Sequence, residues 1–203
     1  NWSNGIAGTY GDGLTTADPY LGVFYPAAET TDVQGNTIVV PPSHMMLRTF
    51  IRSDNVSYQW FAPAGTRRGL IDNATNIGYL QTSGTTNTFI QTGVNNALRD
   101  SMALANVNPI TVLPGVGLVA FGQKTRNGTA SALDRINVAR LINYIRTILA
   151  NVGNGFLFEP NDKITRDQVK QIIQGAMNDL VSKRGLYDYL VVCDTSNNTP
   201  DRI

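Results

Sequence analysis

Histidine-centred catalysis is the first chemistry to consider, and the chain offers a single histidine, His44. A zinc site or a Ser-His-Asp relay would depend wholly on this residue. It falls in the first turn of a helix predicted from Ser43, where a solvent-facing or capping role is favoured. The two glutamates, Glu29 and Glu159, are far apart in the sequence, and no aspartate pair stands out for glycoside chemistry. A small α/β hydrolase built on aspartates and His44 stays open as an alternative function.

The segment Gly115-x-Gly117-x-x-Ala120 matches the letters of the dinucleotide-binding fingerprint. That fingerprint requires a helix whose N-terminus meets the pyrophosphate. The residues after Gly117 are apolar and predict a strand, so a tight turn between two strands is favoured over a nucleotide site. A P-loop, a cysteine cluster and a calcium-loop pattern are absent from the sequence. We therefore predict no cofactor and no metal site.

The single cysteine, Cys193, excludes an intrachain disulfide. It lies in an apolar run that predicts a strand. A buried, inert thiol is therefore favoured over a nucleophile.

The charge balance limits the class of partner. The net charge is +1 and charged residues make up 15% of the chain, against about 25% in typical soluble domains. Bulk charge therefore does not indicate a nucleic-acid or membrane partner, and no stretch has the length of a membrane span. Such a surface suits a protein that packs against copies of itself. An ordinary domain with an Asn-rich surface fits the composition equally well.

The elements that would position a site are clearest from Ser131 to Asn198. Apolar residues recur at three- and four-residue steps from Val138 to Val152, which predicts a helix with one buried face. Gly153 is predicted to end that helix. The apolar run Phe156-Leu157-Phe158, shortly before Pro160, then predicts a short buried strand.

A second helix in this region is marked at both ends. Thr165 is its predicted N-cap, with Gln168 at the capping-box position. Gly185 is predicted to end it. Tyr187 to Cys193 predicts a strand, so residues 131–198 are expected to form a helix-strand-helix-strand core.

The remaining chain mixes strands and helices without strict alternation. Residues 1–18 predict an irregular segment, and residues 54–92 predict long irregular loops with short strands. This order favours an α/β or α+β fold across 19–203, with one mixed β-sheet flanked by helices in a sandwich-like arrangement. Strands are predicted at Tyr20–Ala27, Thr37–Val40, Ile110–Leu113 and Gly117–Gly122, and helices at Ser43–Arg52 and Val94–Ala105.

A series of short segments, spaced from about Tyr20 to Asp201, matches a known family as a set. The segments are Pro41-Pro42-Ser43, Ala62-Pro63-Ala64, Asn108-Pro109-Ile110, Pro114-Gly115-Val116-Gly117, Asn137-Val138-Ala139-Arg140-Leu141, Phe158-Glu159-Pro160-Asn161-Asp162, Val192-Cys193-Asp194 and Asn197-Asn198-Thr199-Pro200. In this order and spacing they resemble the C-terminal domain of contractile-tail sheath proteins, the helical sleeves of myophage tails, R-type pyocins and related injection machines.

The resemblance implies a structural subunit that polymerises helically around a tail tube and contracts to drive the tube through the host envelope. The sleeve of a phage-like bacterial injection machine is the alternative within this class. No enzymatic activity and no cofactor are implied. The implied partners are copies of the same subunit, the tail tube protein, and the baseplate and tail terminator proteins, without nucleic acid or membrane insertion. The implied location is the phage tail of the virion, after assembly in the host cytoplasm.

The resemblance also implies two surfaces. In the family, basic side chains of this domain face acidic side chains on the tail tube. The matching candidates here are Lys163, Arg166, Lys170, Lys183 and Arg184. A solvated helix face is the ordinary explanation for such a cluster of basic residues. Family arms also add strands to neighbouring subunits. The predicted strand would accept them through Tyr187, Tyr189, Val191 and Cys193. The family's arms fall outside this sequence, so we predict that the chain is monomeric in dilute solution.

Overall fold

The computed structural model describes residues 17–199, which belong to two compact units, Asn1–Ala139 and Arg140–Ile203. Most of the irregular segment predicted at 1–18 lies outside the described residues. The helices are α1 (Pro42–Val56), α2 (Gly65–Arg68), α3 (Asn96–Leu104), α4 (Ile136–Gly155) and α5 (Lys163–Ser182). The strands are β1 (Val23–Tyr25), β2 (Ala27–Thr31), β3 (Thr37–Val40), β4 (Asn76–Ser83), β5 (Thr86–Gln91), β6 (Val107–Leu113) and β7 (Gly117–Ala120).

The mixed α/β class is confirmed, but the strands form two sheets where one was expected. The predicted strand Tyr20–Ala27 is divided at Pro26, which has no N–H to give to a ladder. The part before Pro26 is β1, which pairs with β6, and the part after it is β2, which pairs with β3 and β4. The residues on either side of Pro26 therefore belong to different sheets.

The first sheet has the order β1-β6-β7, with β1 parallel and β7 antiparallel to β6. Buried Asn108 on β6 fixes its surroundings through three hydrogen bonds. Its Nδ2 donates to the carbonyl oxygens of Val23 at 3.0 Å and Lys124 at 2.8 Å, and its Oδ1 accepts from the Lys124 N–H at 2.6 Å. Because buried polar groups require partners, this side chain holds β1 and the segment after β7 against β6.

The second sheet is antiparallel, in the order β3-β2-β4-β5. Asp32 closes its first turn, since its Oδ1 accepts the N–H groups of Gln34 at 2.9 Å and Asn36 at 2.8 Å. The segment predicted as loop-rich, 54–92, instead contains the β4–β5 hairpin, paired from Gly78 with Gln91 to Ser83 with Thr86. Its Thr, Asn and Ser residues are common in loops, but a ladder is set by the partner strand and not by local composition.

A buried hydrophobic cluster fills the first unit. Helix α1 supplies two of its largest members from the first turns, Met45 and Met46. Leu47 and Ile51 on the same helix are exposed, and the N-cap of this helix, which was predicted to start at Ser43, is Pro41. The cluster comprises Ala28, Val40, Met45, Met46, Ile71, Ile77, Val94, Met102, Val107, Ile110, Leu118 and Ala120.

The strand predicted at Phe156–Phe158 is wrong. Helix α4 continues through Gly153 to Gly155, because one glycine costs a helix interior only about 1 kcal/mol. The next residues form a turn, in which the Phe156 N–H donates to the Gly153 carbonyl at 3.1 Å and the Glu159 N–H to the Phe156 carbonyl at 3.2 Å. An apolar run with no neighbouring strand cannot build a ladder, so local turn bonds satisfy its backbone.

The predicted N-cap of α5 is also wrong. Asp162, not Thr165, caps the helix, and its Oδ1 accepts the Thr165 N–H at 2.8 Å. Both residue types are good caps, and the one three positions earlier takes the role. Thr165 is therefore the donor in the cap.

The predicted strand Tyr187–Cys193 is wrong as well. These residues are neither helix nor strand, and no strand occurs in residues 140–199. The helix-strand-helix-strand core predicted at 131–198 is accordingly a helix pair followed by an irregular segment. A strand exists only where a second backbone pairs with it, and none in this range does so.

Candidate functional site

The residues considered for catalysis occupy ordinary structural positions. His44 is exposed on the first turn of α1. Gly115 lies between β6 and β7 and Gly117 is the first residue of β7; their φ angles of 76° and 104° confirm the tight turn. Across residues 17–199 no three His, Cys, Asp or Glu side chains are grouped to hold a metal ion. No helix in that range combines the length and the apolarity needed to cross a membrane.

The second unit instead presents apolar surface. Among residues 140–199 the buried hydrophobic side chains are Leu141, Met177 and Leu180. Eight large hydrophobic residues in the same range are exposed, namely Leu149, Leu157, Phe158, Ile164, Ile172, Tyr187, Leu190 and Val192. Single exposed apolar residues are common, but here the exposed large hydrophobic side chains outnumber the buried ones.

The turn between α4 and α5 is the most pronounced part of this surface. Phe158 is fully exposed and has a φ of 71°, in the left-handed region that a bulky residue rarely adopts. Leu157 beside it is also exposed. Such backbone strain persists where function requires it, which makes this turn a candidate contact site.

Three of the predicted basic residues lie on the first half of α5. Lys163 Nζ is 2.6 Å from Asp167 Oδ2, and Arg166 donates to the Asn161 carbonyl at 2.9 Å. Arg166 and Lys170 both act on Asp194, whose pKa lies below its usual value. The leading cause of that pKa shift is the Ser196 hydroxyl, which donates to Asp194 at 2.5 Å; the two cations add to it.

Carboxylates therefore balance this basic group. Lys163, Arg166 and Lys170 face the two aspartates named above and Asp162, which caps the helix. Because nearby carboxylates offset their charge, these basic side chains produce little electrostatic field at long range. Any contact that they make with another protein therefore depends on ion pairs at short distance.

The other two basic residues lie at the C-terminal end of α5. The helix ends at Ser182 and not at Gly185 as predicted, because Arg184 takes the left-handed position with a φ of 62°. The Gly185 N–H then donates to the Leu180 carbonyl at 2.7 Å, which is a Schellman cap. Lys183 Nζ is 2.6 Å from Asp179 Oδ2. This end is remote along the helix from the other three basic residues.

The segment after α5 keeps a two-residue period although it has no strand partner. Tyr189, Val191 and Cys193 are half-buried, whereas Leu190 and Val192 between them are exposed. Tyr187 is fully exposed, so it does not share the half-buried side. The expected buried thiol is thus only partly buried.

Helix α5 and a polar turn hold this segment at each end. Tyr189 Oη is 2.6 Å from Asn178 Oδ1 on α5. At the far end, Asn197 Nδ2 donates to the Val192 carbonyl at 2.8 Å and its Oδ1 accepts the Asp194 N–H at 3.0 Å. The segment is therefore anchored while much of its apolar side stays open.

Two features were missed by reasoning from sequence. The apolar run at Phe158 was taken as a buried strand, and Asp194 was not linked to the basic residues of α5. Pro160, two residues after Phe158, was the available signal for a turn. The approach of Asp194 to α5 is a tertiary contact with no local signal.

Comparison with known proteins relates the chain to a family. The family model for the phage tail sheath C-terminal domain matches residues 129–203. The chain is 37% identical over 152 residues to the tail sheath protein of Enterobacteria phage T4, which covers 75% of the chain and 21% of the relative. It is 34% identical over 146 residues to that of Vibrio phage KVP40, covering 72% and 20%. The chain thus spans about a fifth of the length of these curated relatives.

Solved structures share the fold. The sheath complex of the extracellular contractile injection system PVC, in its contracted state, aligns with a TM-score of 0.69 at 22% identity, covering 87% of this chain and 44% of that one. The contracted helical sheath of the anti-feeding prophage gives 0.66 at 20% identity, covering 82% and 41%. The chain belongs to the tail sheath family of contractile phages, and residues 129–203 are its phage tail sheath C-terminal domain.

Proposed function

We propose that this chain is part of the structural subunit of a contractile phage tail sheath, which polymerises helically around the tail tube and contracts to drive it through the host envelope. The observation that carries the proposal is the 37% identity to the T4 tail sheath protein over 152 residues. The exposed apolar side chains of residues 140–199 support it, because a subunit in a lattice buries such surface against its neighbours. The small hydrolase has no such support.

The mechanical role follows from the symmetry of the assembly. Head-to-tail contacts whose rotation does not close give a helical array. If the extended array is a trapped state, moving rigid domains into a second packing releases roughly a few kcal/mol per subunit, summed over many copies. In this role the sheath meets the baseplate at one end and the tail terminator at the other. It assembles in the host cytoplasm and stays in the virion tail.

The segment Tyr187–Cys193 is proposed as the acceptor for strands from neighbouring subunits. Its alternating exposure suits a strand, and its backbone pairs with no strand among the described residues. An added strand would use main-chain hydrogen bonds for affinity and the exposed side chains for fit. The inward side of that strand pair would be formed by Tyr189, Val191 and Cys193. Tyr187 would lie at the start of the paired segment.

The basic residues of α5 are proposed to face acidic side chains on the tail tube. Lys163 is 84% exposed even while paired with Asp167, so the pair can exchange for one with the tube. Lys183 and Arg184 provide a second point near the other end of the helix. Because nearby aspartates already offset these basic charges, the contact with the tube would act through ion pairs at short distance. Salt would weaken those pairs.

Electron microscopy of the full-length protein tests the main proposal. We expect tubes of helically packed subunits, and soluble monomers under all conditions would contradict it. A second experiment changes Lys163, Arg166 and Lys170 to Glu and measures sheath assembly on purified tubes. Assembly should weaken, whereas Gln168→Glu with Gln171→Glu, which adds negative charge at exposed positions of the same helix, should leave it intact. Unchanged assembly of the triple variant would remove the tube-facing role.

A further inference from the structure

The segment Tyr187–Cys193 alternates in exposure although it has no main-chain ladder. Within residues 17–199, none of its N–H or C=O groups is hydrogen-bonded to another main-chain group. The Val192 carbonyl is bound instead by a side chain, since Asn197 Nδ2 donates to it at 2.8 Å. Side-chain contacts therefore hold this segment, and most of its main-chain groups remain available to an added strand.

The two sides of the segment are similar in apolar character. Val191 and Cys193, the inner pair, are half-buried, and Leu190 and Val192, the outer pair, are exposed. Because successive side chains of a strand point to opposite sides, a shift by one residue would exchange the two pairs. Hydrophobic burial changes little in that exchange, since each pair consists of two apolar side chains. Another contact must decide which pair faces inward.

The Tyr189 phenol makes such a contact with α5. Its Oη lies 2.6 Å from Asn178 Oδ1 and 3.2 Å from the Gln174 carbonyl oxygen. These two acceptors are four residues apart, so they lie on one face of the helix. Tyr189 shares its side of the segment with the inner pair. The hydrogen bond to α5 therefore turns the inner pair inward.

Asp188 favours the same arrangement from the other side. It is exposed, and its Oδ1 accepts the Tyr189 N–H at 2.8 Å. An ionised carboxylate is costly to bury, so Asp188 keeps its own side of the segment in solvent. Among the residues of the segment, the phenol of Tyr189 is the group that binds the α5 helix directly.

We propose that Tyr189 is the positioning residue of this segment. Its bond to Asn178 keeps the inner pair inward, and it thereby decides which side chains and which main-chain groups an added strand meets. The inference rests on the proposed function, since it names the residue that prepares the acceptor for strands from neighbouring subunits. An acceptor already held in one arrangement loses less conformational freedom on binding than one that interconverts between two.

Thiol labelling measures this arrangement in the chain itself. The native Cys193 reports on the inner side, and Val192→Cys, in a chain that also carries Cys193→Ser, reports on the outer side. The thiol at position 192 should react faster with a maleimide, because that position is exposed and position 193 is half-buried. Tyr189→Phe removes only the hydroxyl and should bring the two rates closer by about fivefold, the factor that one hydrogen bond contributes to an equilibrium. An unchanged ratio of rates would overturn the proposal.

Matched variants separate this bond from a general loosening of the segment. Tyr187→Phe removes the hydroxyl of a fully exposed tyrosine in the same segment and should leave both rates unchanged. Asn178→Asp keeps an oxygen acceptor for the phenol, so its ratio of rates should stay near that of the parent chain. Asn178→Leu removes that acceptor and should shift the ratio part of the way, because the Gln174 carbonyl remains. A shift in Tyr187→Phe as large as in Tyr189→Phe would count against the positioning role, as would a larger shift in Asn178→Asp than in Asn178→Leu.

Sheath assembly separates this inference from the proposed function. In the full-length protein, Tyr189→Phe should raise the concentration at which tubes form, and Asn178→Asp should not. If the labelling ratio shifts while Tyr189→Phe forms tubes at the parent concentration, the Tyr189 contact stands and the acceptor role of the segment fails. If the ratio does not shift while the full-length protein forms tubes, the Tyr189 contact is wrong and the sheath function stands.

Discussion

The two units of the chain differ in how completely each buries its own apolar side chains. The first encloses a cluster of twelve buried hydrophobic residues, drawn from both sheets, two helices and two loop positions. Within residues 140–199 only Leu141, Met177 and Leu180 are buried, against eight large hydrophobics left open. The first unit therefore has a substantial core of its own, whereas residues 140–199 leave more large hydrophobic side chains exposed than they bury.

Their polar groups differ in the same sense. In the first unit, buried Asn108 joins segments far apart in the sequence. In the second, the helix ends depend on neighbours along the chain, such as Asp162 with Thr165 and Gly185 with Leu180. Local bonds of this kind keep a helix in shape without a large core.

The largest expected effect compares one buried and one exposed aliphatic residue. Ile110→Ala removes a side chain with 0% exposure from β6 and should cost about 2–5 kcal/mol of unfolding free energy. Leu190→Ala, at 87% exposure, should change that free energy by less than about 0.5 kcal/mol. Urea unfolding followed by circular dichroism measures both. Equal losses would mean that the second unit has a self-contained core after all.

The sequence predicted the long helices of the C-terminal region because their apolar period is local. It failed at Phe156–Phe158 and Tyr187–Cys193 because a strand depends on a partner that the pattern of one segment does not reveal. The β4–β5 hairpin was missed for the converse reason, since Thr and Asn residues that suggest loops become strands once paired. One strand was predicted at Tyr20–Ala27, so the switch between two sheets at Pro26 was missed.

The candidate surfaces were predicted unevenly. Lys163, Arg166 and Lys170 lie on one half of α5 as a helix dictates, yet their compensation by Asp194 could not be foreseen, because it depends on how the chain returns after Arg184. The exposure of Phe158 was missed for a simpler reason. Apolar residues favour burial, and a sequence carries no mark of those that stay exposed.

A smaller effect, of opposite sign, is expected at Phe158. Phe158→Gly replaces a bulky residue at a φ of 71° with the one that adopts positive φ freely. Because the ring is fully exposed, little packing is lost, and the isolated chain should gain about 1 kcal/mol in unfolding free energy. Leu157→Gly, next to it, is the matched control and should not stabilise. A loss of stability in Phe158→Gly would show that the ring serves its own unit, and would make the two units more alike.

The smallest effect concerns acid and the start of α5. The pKa of Asp162 lies below its ordinary 3.8, first because its carboxylate accepts the Thr165 N–H and further because Arg166 is near. Folded chains thus hold the proton less tightly, so the stabilisation by this cap is complete above about pH 3.8 and is lost as the pH falls through the lowered value. Asp162→Asn keeps an oxygen acceptor that does not titrate, so the helix signal of α5 should fall less in acid than in the parent chain, with near-identical signals at pH 7.

Asp162→Ala should weaken the helix start at both pH values. If Asp162→Asn follows the parent curve at every pH, the start of α5 is held by packing and not by its cap. The contrast between a unit with its own core and a unit fixed at its helix ends would then fail for α5.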